Sequence, residues 1–143
     1  CEVFLQEGCF DHFNNCEDGE VHLTAKELHT ETDTSTNRVL FVSHRWGAND
    51  HPDPTGEQYS LAKKFLEESE IGKHITHIWL DYSCIHQDKA TLDFKNHLEN
   101  IPTAIACSDV VLIIPKVDYL PHTTKEGVKI PTTHLNDYLD RAW

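Results

Sequence analysis

Arg38-Val39-Leu40-Phe41-Val42-Ser43-His44-Arg45-Trp46-Gly47 is the stretch from which the fold is read. Its first half, Val39 to Val42, is a short continuous apolar run, the pattern of a strand covered on both faces. Its second half turns polar at once: a hydroxyl, an imidazole, a guanidinium and an indole follow one another before Gly47. A loop then extends from Arg45 to Thr55 through Pro52 and Pro54.

Downstream, the hydrophobic period alternates in a regular order. Glu57 to Ser69 reads as a helix with Leu61, Ala62, Phe65 and Leu66 on one face and Lys63, Lys64, Glu67 and Glu68 on the other. Ile75 to Leu80 reads as a second strand. Leu92 to Ala106 places Phe94, Leu98, Ile101 and Ile105 at helical spacing, with Pro102 forcing a kink or a restart. Asp109 to Ile114 reads as a third buried strand. Strand, helix, strand, helix, strand implies parallel pairing through right-handed crossovers, with helices on both faces of the sheet. The expected fold is therefore α/β, a flavodoxin-like doubly wound parallel sheet. Pro115 to Thr132 shows no regular pattern. Thr133 stands where it would cap a last helix carrying Leu135, Tyr138, Leu139 and Ala142 on one face.

Upstream, residues 1–37 hold nine acidic side chains against one base, Lys26, a balance of −8, whereas the other 106 residues carry −4. The Thr, Ser and Asp of positions 30–37 read as a linker. Residues 1–37 are accordingly expected to be an acidic appendage, and residues 38–143 the domain proper. With no methionine in the chain and no helix stop before Trp143, the 143 residues read as a piece of a longer protein whose domain is cut short at its C-terminal end.

A net charge of −12 argues against nucleic acid and anionic membranes as partners. The longest apolar run, Val110 to Ile114, is far shorter than the roughly 20 residues of a membrane-spanning helix, so a soluble domain is expected. Five cysteines, an odd and irregularly spaced set, point to a reducing, cytoplasmic compartment.

Ligands of open parallel sheets bind beyond the carboxyl ends of the strands, where loops and helix N-termini converge. Two polar clusters fall at that edge: Ser43, His44, Arg45, Trp46, Gly47 and Asp50 after the first strand, and Asp81, Tyr82, Ser83 and Cys84 after the second. An arginine fork suits a phosphate or carboxylate, and an indole offers a flat face to a base or pyridine ring. The same residues also suit structural work, as a cation–π stack or a turn cap.

The order VLFVSHRWG, IWLDYSCI, LENIPTAIACSDVVLIIP and YLDRAW resembles the Toll/interleukin-1 receptor (TIR) domain and its TIR-like relatives over residues 38–143. The plant-type Ser-Phe-Arg-Gly-x-Asp loop is matched loosely by Ser43, His44, Arg45, Gly47 and Asp50, and the Phe-x-Asp end of the second strand by Trp79-Leu80-Asp81. The resemblance implies a signalling domain of immunity or cell death that binds NAD as substrate, holds no tightly bound cofactor, and cleaves the nicotinamide–ribose bond. The family's catalytic glutamate follows a tryptophan that Trp143 matches, so it is expected within about one helical turn beyond the last residue. The alternative is a non-catalytic module that works by self-association, with the Arg45 to Gly56 loop and residues 115–132 as contact surfaces.

Other chemistries fit less well. His74-x-x-His77 and Cys84-x-His86 are poor zinc pairs, because positions three apart on a strand face opposite ways. Cys84, His86 and Asp81 are too close in sequence to form a thiol-hydrolase triad by themselves. Asp18-Gly19 begins like a calcium loop, but Ala25 stands where the bidentate glutamate belongs. Thr24 and Glu27 instead form a helix capping box.

Overall fold

The computed structural model describes residues 2–16, 37–48, 50–115, 117–123 and 129–133. The capping box at Thr24, the Asp18-Gly19 segment, the expected last helix and Trp143 lie outside the described residues.

Three parallel strands form the centre: β1 (Val39–His44), β2 (His77–Leu80) and β3 (Val110–Ile114), in the order β2-β1-β3. The fold is α/β. In register, Phe41 pairs with Trp79 on one side and Val111 on the other. The amino ends of the strands are fastened by side chains. Asp109 Oδ2 accepts the Val39 N–H at 2.8 Å, and Thr76 Oγ1 accepts the Arg38 N–H at 2.8 Å.

Strand periodicity divides the core in two. Leu40 and Val42 join Tyr59, Ala62 and Leu66 of α3 (Glu57–Glu68) in one cluster. Phe41 points the other way, into a cluster with Ile85 and Ile101, stacked on Trp79 at a ring distance of 4.4 Å. Leu40, Phe41 and Val42 are essentially sealed from solvent, each contributing about 1.5–3 kcal/mol relative to exposure. The expectation of a strand covered on both faces holds for β1.

Several sequence expectations shift. Tyr59 takes the place on the buried face of α3 that the helical pattern assigned to Leu61, which is exposed. Pro102 restarts the helix as expected: α5 (Leu92–Glu99) ends at Asn100 and α6 (Ile101–Ala106) begins with the proline in its first turn, where a missing N–H costs nothing. β3 is buried on one face only, with Val111 and Ile113 exposed. Residues 115–132, read as patternless, contain β4 (Val117–Thr123) and most of β5 (Lys129–Thr133), an antiparallel pair with an irregular register. Thr133 is the last residue of β5.

The segment before the domain packs on it. α1 (Glu2–Glu7) and α2 (Phe13–Cys16) flank Phe10, which is 2% exposed and belongs to the cluster of Leu40 and Val42. The Tyr59 hydroxyl lies 3.0 Å from the Phe4 carbonyl oxygen, to which it donates, and accepts the Gly8 N–H at 3.2 Å. Among the described residues no helix is long and apolar enough to cross a membrane.

Candidate functional site

Both polar clusters lie at the carboxyl edge of the sheet. β1 ends in His44, and β2 runs directly into a single helical turn, α4 (Asp81–Cys84). Because β1 and β2 are neighbours in register, His44 and Asp81 face each other: His44 Nε2 is 2.8 Å from Asp81 Oδ1. The imidazole is almost wholly buried, its side chain 1% exposed against 25% for Asp81.

The remaining contacts of this pair are also engaged. Trp46 Nε1–H donates to Asp81 Oδ2 at 2.9 Å, and the Tyr82 N–H donates to Oδ1 at 2.7 Å. Gln58, in the first turn of α3, donates through Nε2 to the carbonyl oxygens of Arg45 and Pro52, each at 2.9 Å. Carbonyls only accept, so the amide must present Oε1 to His44 Nδ1, 3.1 Å away. That contact requires a hydrogen on Nδ1. Asp81 thus accepts from the Trp46 indole and the Tyr82 backbone N–H and lies against the His44 ring. Burial alone would push its carboxyl up, but the hydrogen bond and charge of His44, with the bonds from Trp46 and Tyr82, outweigh it and hold the carboxyl below its ordinary value.

The loop after β1 is held by its own backbone. The Gly47 N–H reaches the Pro52 oxygen at 2.7 Å and the Ala48 N–H the His51 oxygen at 3.0 Å. A Cβ at Gly47 would lie 2.8 Å from Pro54 Cδ, so glycine is required by close approach. Asp53, 5% exposed, accepts the Tyr59 N–H at 2.7 Å and so ties the loop to the first turn of α3. The Trp46 and His51 rings lie 5.6 Å and 5.4 Å from that of Tyr82.

His44, Trp46, Asp81 and Tyr82 therefore converge, with Gly47 shaping the loop that carries Trp46. Ser43 is buried on the Phe41 side of β1. The Arg45 carbonyl is part of the network through Gln58. Asp50 is exposed, near enough that its charge, after burial and with Asp11 and Cys9, raises the Tyr82 hydroxyl. Burial, with Cys16 and Asp81 adding to it, pushes the Cys84 thiol up to about 11. A thiol kept protonated near neutrality is a poor nucleophile, and His86 Nδ1 accepts the Asp88 N–H instead of serving Cys84. Among the described residues no group of three or more His, Cys, Asp or Glu side chains is placed to hold a metal ion.

Sequence reasoning missed Gln58 and Asp53 as partners. Neither position carries a motif; each becomes legible only once α3 is placed against β1.

Comparison with known proteins returned nothing: no family model, no curated protein and no solved structure matches the chain.

Proposed function

We propose that the chain is a TIR-like signalling domain of flavodoxin-like winding that binds NAD at the carboxyl edge of its sheet. Supplied with the glutamate that the family resemblance expects after Trp143, it cleaves NAD. Water attacks the ribose carbon as the bond to the nicotinamide nitrogen breaks, giving nicotinamide and ADP-ribose. A carboxylate near that sugar stabilises the developing positive charge.

The observation that carries this reading is the strand order β2-β1-β3. The chain winds from β1 to one side and returns to the other, so the direction reverses between β1 and β3. Open parallel sheets bind ligands outside the carboxyl ends at such a reversal. The exit of β1 is the loop carrying Arg45 and Gly47, held in shape by Gln58, Asp53 and Asp81. A braced loop costs less ordering entropy when a ligand docks. The contacts of Asp81 with the His44 ring, the Trp46 indole and the Tyr82 N–H support a positioning role for that carboxylate, with proton transfer left to another group.

The test is titration of isotope-labelled protein with NAD, followed by amide shifts, together with chromatographic detection of nicotinamide from protein extended by its natural sequence past Trp143. Saturable shifts at residues 45–50 and 114–115, with nicotinamide released by the extended protein, are expected. No shift and no release at millimolar NAD would overturn the reading in favour of the self-association module. Shifts without release would retain the nucleotide site and remove catalysis.

A further inference from the structure

Three histidines around α4 make the same local contact. Through Nδ1 each imidazole accepts the backbone N–H two residues further on: His12 from Asn14 at 3.1 Å, His51 from Asp53 at 3.0 Å and His86 from Asp88 at 3.2 Å. His97 adds to the last of these, its Nδ1 accepting the His86 N–H at 3.1 Å. A backbone N–H only donates, so each Nδ1 is bare and the ring hydrogen sits on Nε2. Asn and Asp close turns in this way with a side-chain oxygen. An imidazole differs in one respect: it is the side chain that ordinarily gains a proton between about pH 8 and 5.

The three turns belong to different segments that meet at α4. His12 lies in the segment before the domain, its ring edge-on to Tyr82 at 5.0 Å, and His51 lies in the loop after β1, 5.4 Å from the same ring. His86 follows α4, its ring 5.4 Å from that of Phe13 in α2. Ser83 Oγ donates to the Asp11 carbonyl oxygen at 2.6 Å, joining the first segment to α4 directly. The titratable neighbours are acidic. Asp11 Oδ1 accepts the His12 N–H, and Asp50 and Cys9 lie near Tyr82. Asp53 holds the Tyr59 N–H, Asp81 holds Trp46 and Tyr82, and Asp88 holds the Ala90 N–H. Charge therefore does not oppose a proton arriving on these rings. What the proton removes is the acceptor of a backbone N–H.

We propose that His12, His51 and His86 form an acid-operated latch: with Nδ1 bare they hold residues 12–14, 51–53 and 86–88 folded around α4, and in mild acid each ring gains a hydrogen at Nδ1, gives up its backbone N–H and frees its turn. The effect reaches the carboxyl edge because the loop after β1 is one of the three. The latch goes beyond the nucleotide reading and does not depend on it.

The experiment is amide exchange measured by NMR on labelled protein, expressed as protection relative to an unfolded chain at the same pH, with imidazole nitrogen spectra recorded alongside. At about pH 8 the three rings should be Nε2–H tautomers and the amides of Asn14, Asp53 and Asp88 protected. At about pH 5 both ring nitrogens should carry hydrogen and protection at those amides should fall about fivefold, the worth of one hydrogen bond. His12→Asn, His51→Asn and His86→Asn each keep an acceptor in place without its titration, so each variant should hold its own amide protected at both pH values. An Nδ1–H tautomer at about pH 8, rings still singly protonated at about pH 5, or protection unchanged as the rings take up the proton would overturn the latch. Those outcomes are read on the unaltered chain, whether or not a variant folds. Asparagine variants that lose protection in acid as the unaltered chain does would overturn it as well.

Discussion

At Asp81 a single carboxylate answers His44 Nε2, the Trp46 indole N–H and the Tyr82 backbone N–H. Removing it strands three partners at once, one of them on an almost fully buried imidazole. Asp81→Ala should therefore cost about 2–4 kcal/mol, the lower part of the range for broken buried pairs because the carboxylate is partly exposed. Urea denaturation followed by tryptophan fluorescence measures this. The pH dependence has a definite sign. Asp81 is held below its ordinary value of 3.8 in the folded protein, so the unfolded chain takes up the proton first on acidification. The stabilisation is complete above the unfolded value and is lost as pH falls below it toward the folded value. Asp81→Ala should thus show a shallower loss of stability on acidification below about pH 4 than the unaltered chain; parallel acid limbs would show that Asp81 is not the group responsible. The sequence marked His44, Trp46 and Asp81 as neighbours of interest. It left open whether they bind or brace, because that depends on Gln58, whose amide is oriented by two carbonyls from a loop of unreadable geometry.

Elements were legible where burial follows a period and illegible where it follows tertiary neighbours. β1 is enclosed on both sides, and its apolar run says so. β3 carries the same Val/Ile composition but, among the described residues, lies at an edge of the sheet, and composition alone does not distinguish edge from centre. The β4–β5 pair, two-stranded among the described residues, includes Pro121 and Pro131, residues that argue against strand in a sequence reading yet are tolerated on edge strands. The return from α3 to β2 depends on a close approach that no pattern announces. A Cβ at Gly72 would collide with the Phe65 carbonyl oxygen and lie 2.8 Å from Leu66 Cα. Both obstacles are helix backbone and cannot swing aside as a side-chain tip would. Gly72→Ala should force α3 and the following turn apart at a cost of about 1–3 kcal/mol, read as a lower urea midpoint. Gly72→Ala with an unchanged midpoint would mean that the turn yields freely.

For the molecule as a whole, charge and packing give opposite views of the first residues. Nine acids in residues 1–37 suggest a solvated extension, yet the charges ride on a segment whose apolar members are spaced to pack. Phe4 and Leu5 pack against the core cluster, Phe10 lies inside it, and the Phe10 ring is 5.3 Å from that of His44. Net charge reports on the exposed side of a segment and is silent about the other. Phe10 thus links the amino-terminal segment to the cluster that carries the carboxyl edge, and cutting that link should be felt globally. Phe10→Ala is expected to lower stability by about 3 kcal/mol or more, the cost of a large core truncation, and to do so in one transition, since the cavity opens against Leu40 and Val42 instead of within an independent unit. Calorimetry of the two chains decides it. A single peak displaced to lower temperature makes residues 2–16 part of the cooperative fold, whereas an unmoved main peak would return them to the status of an appendage that rests on a domain able to stand without it.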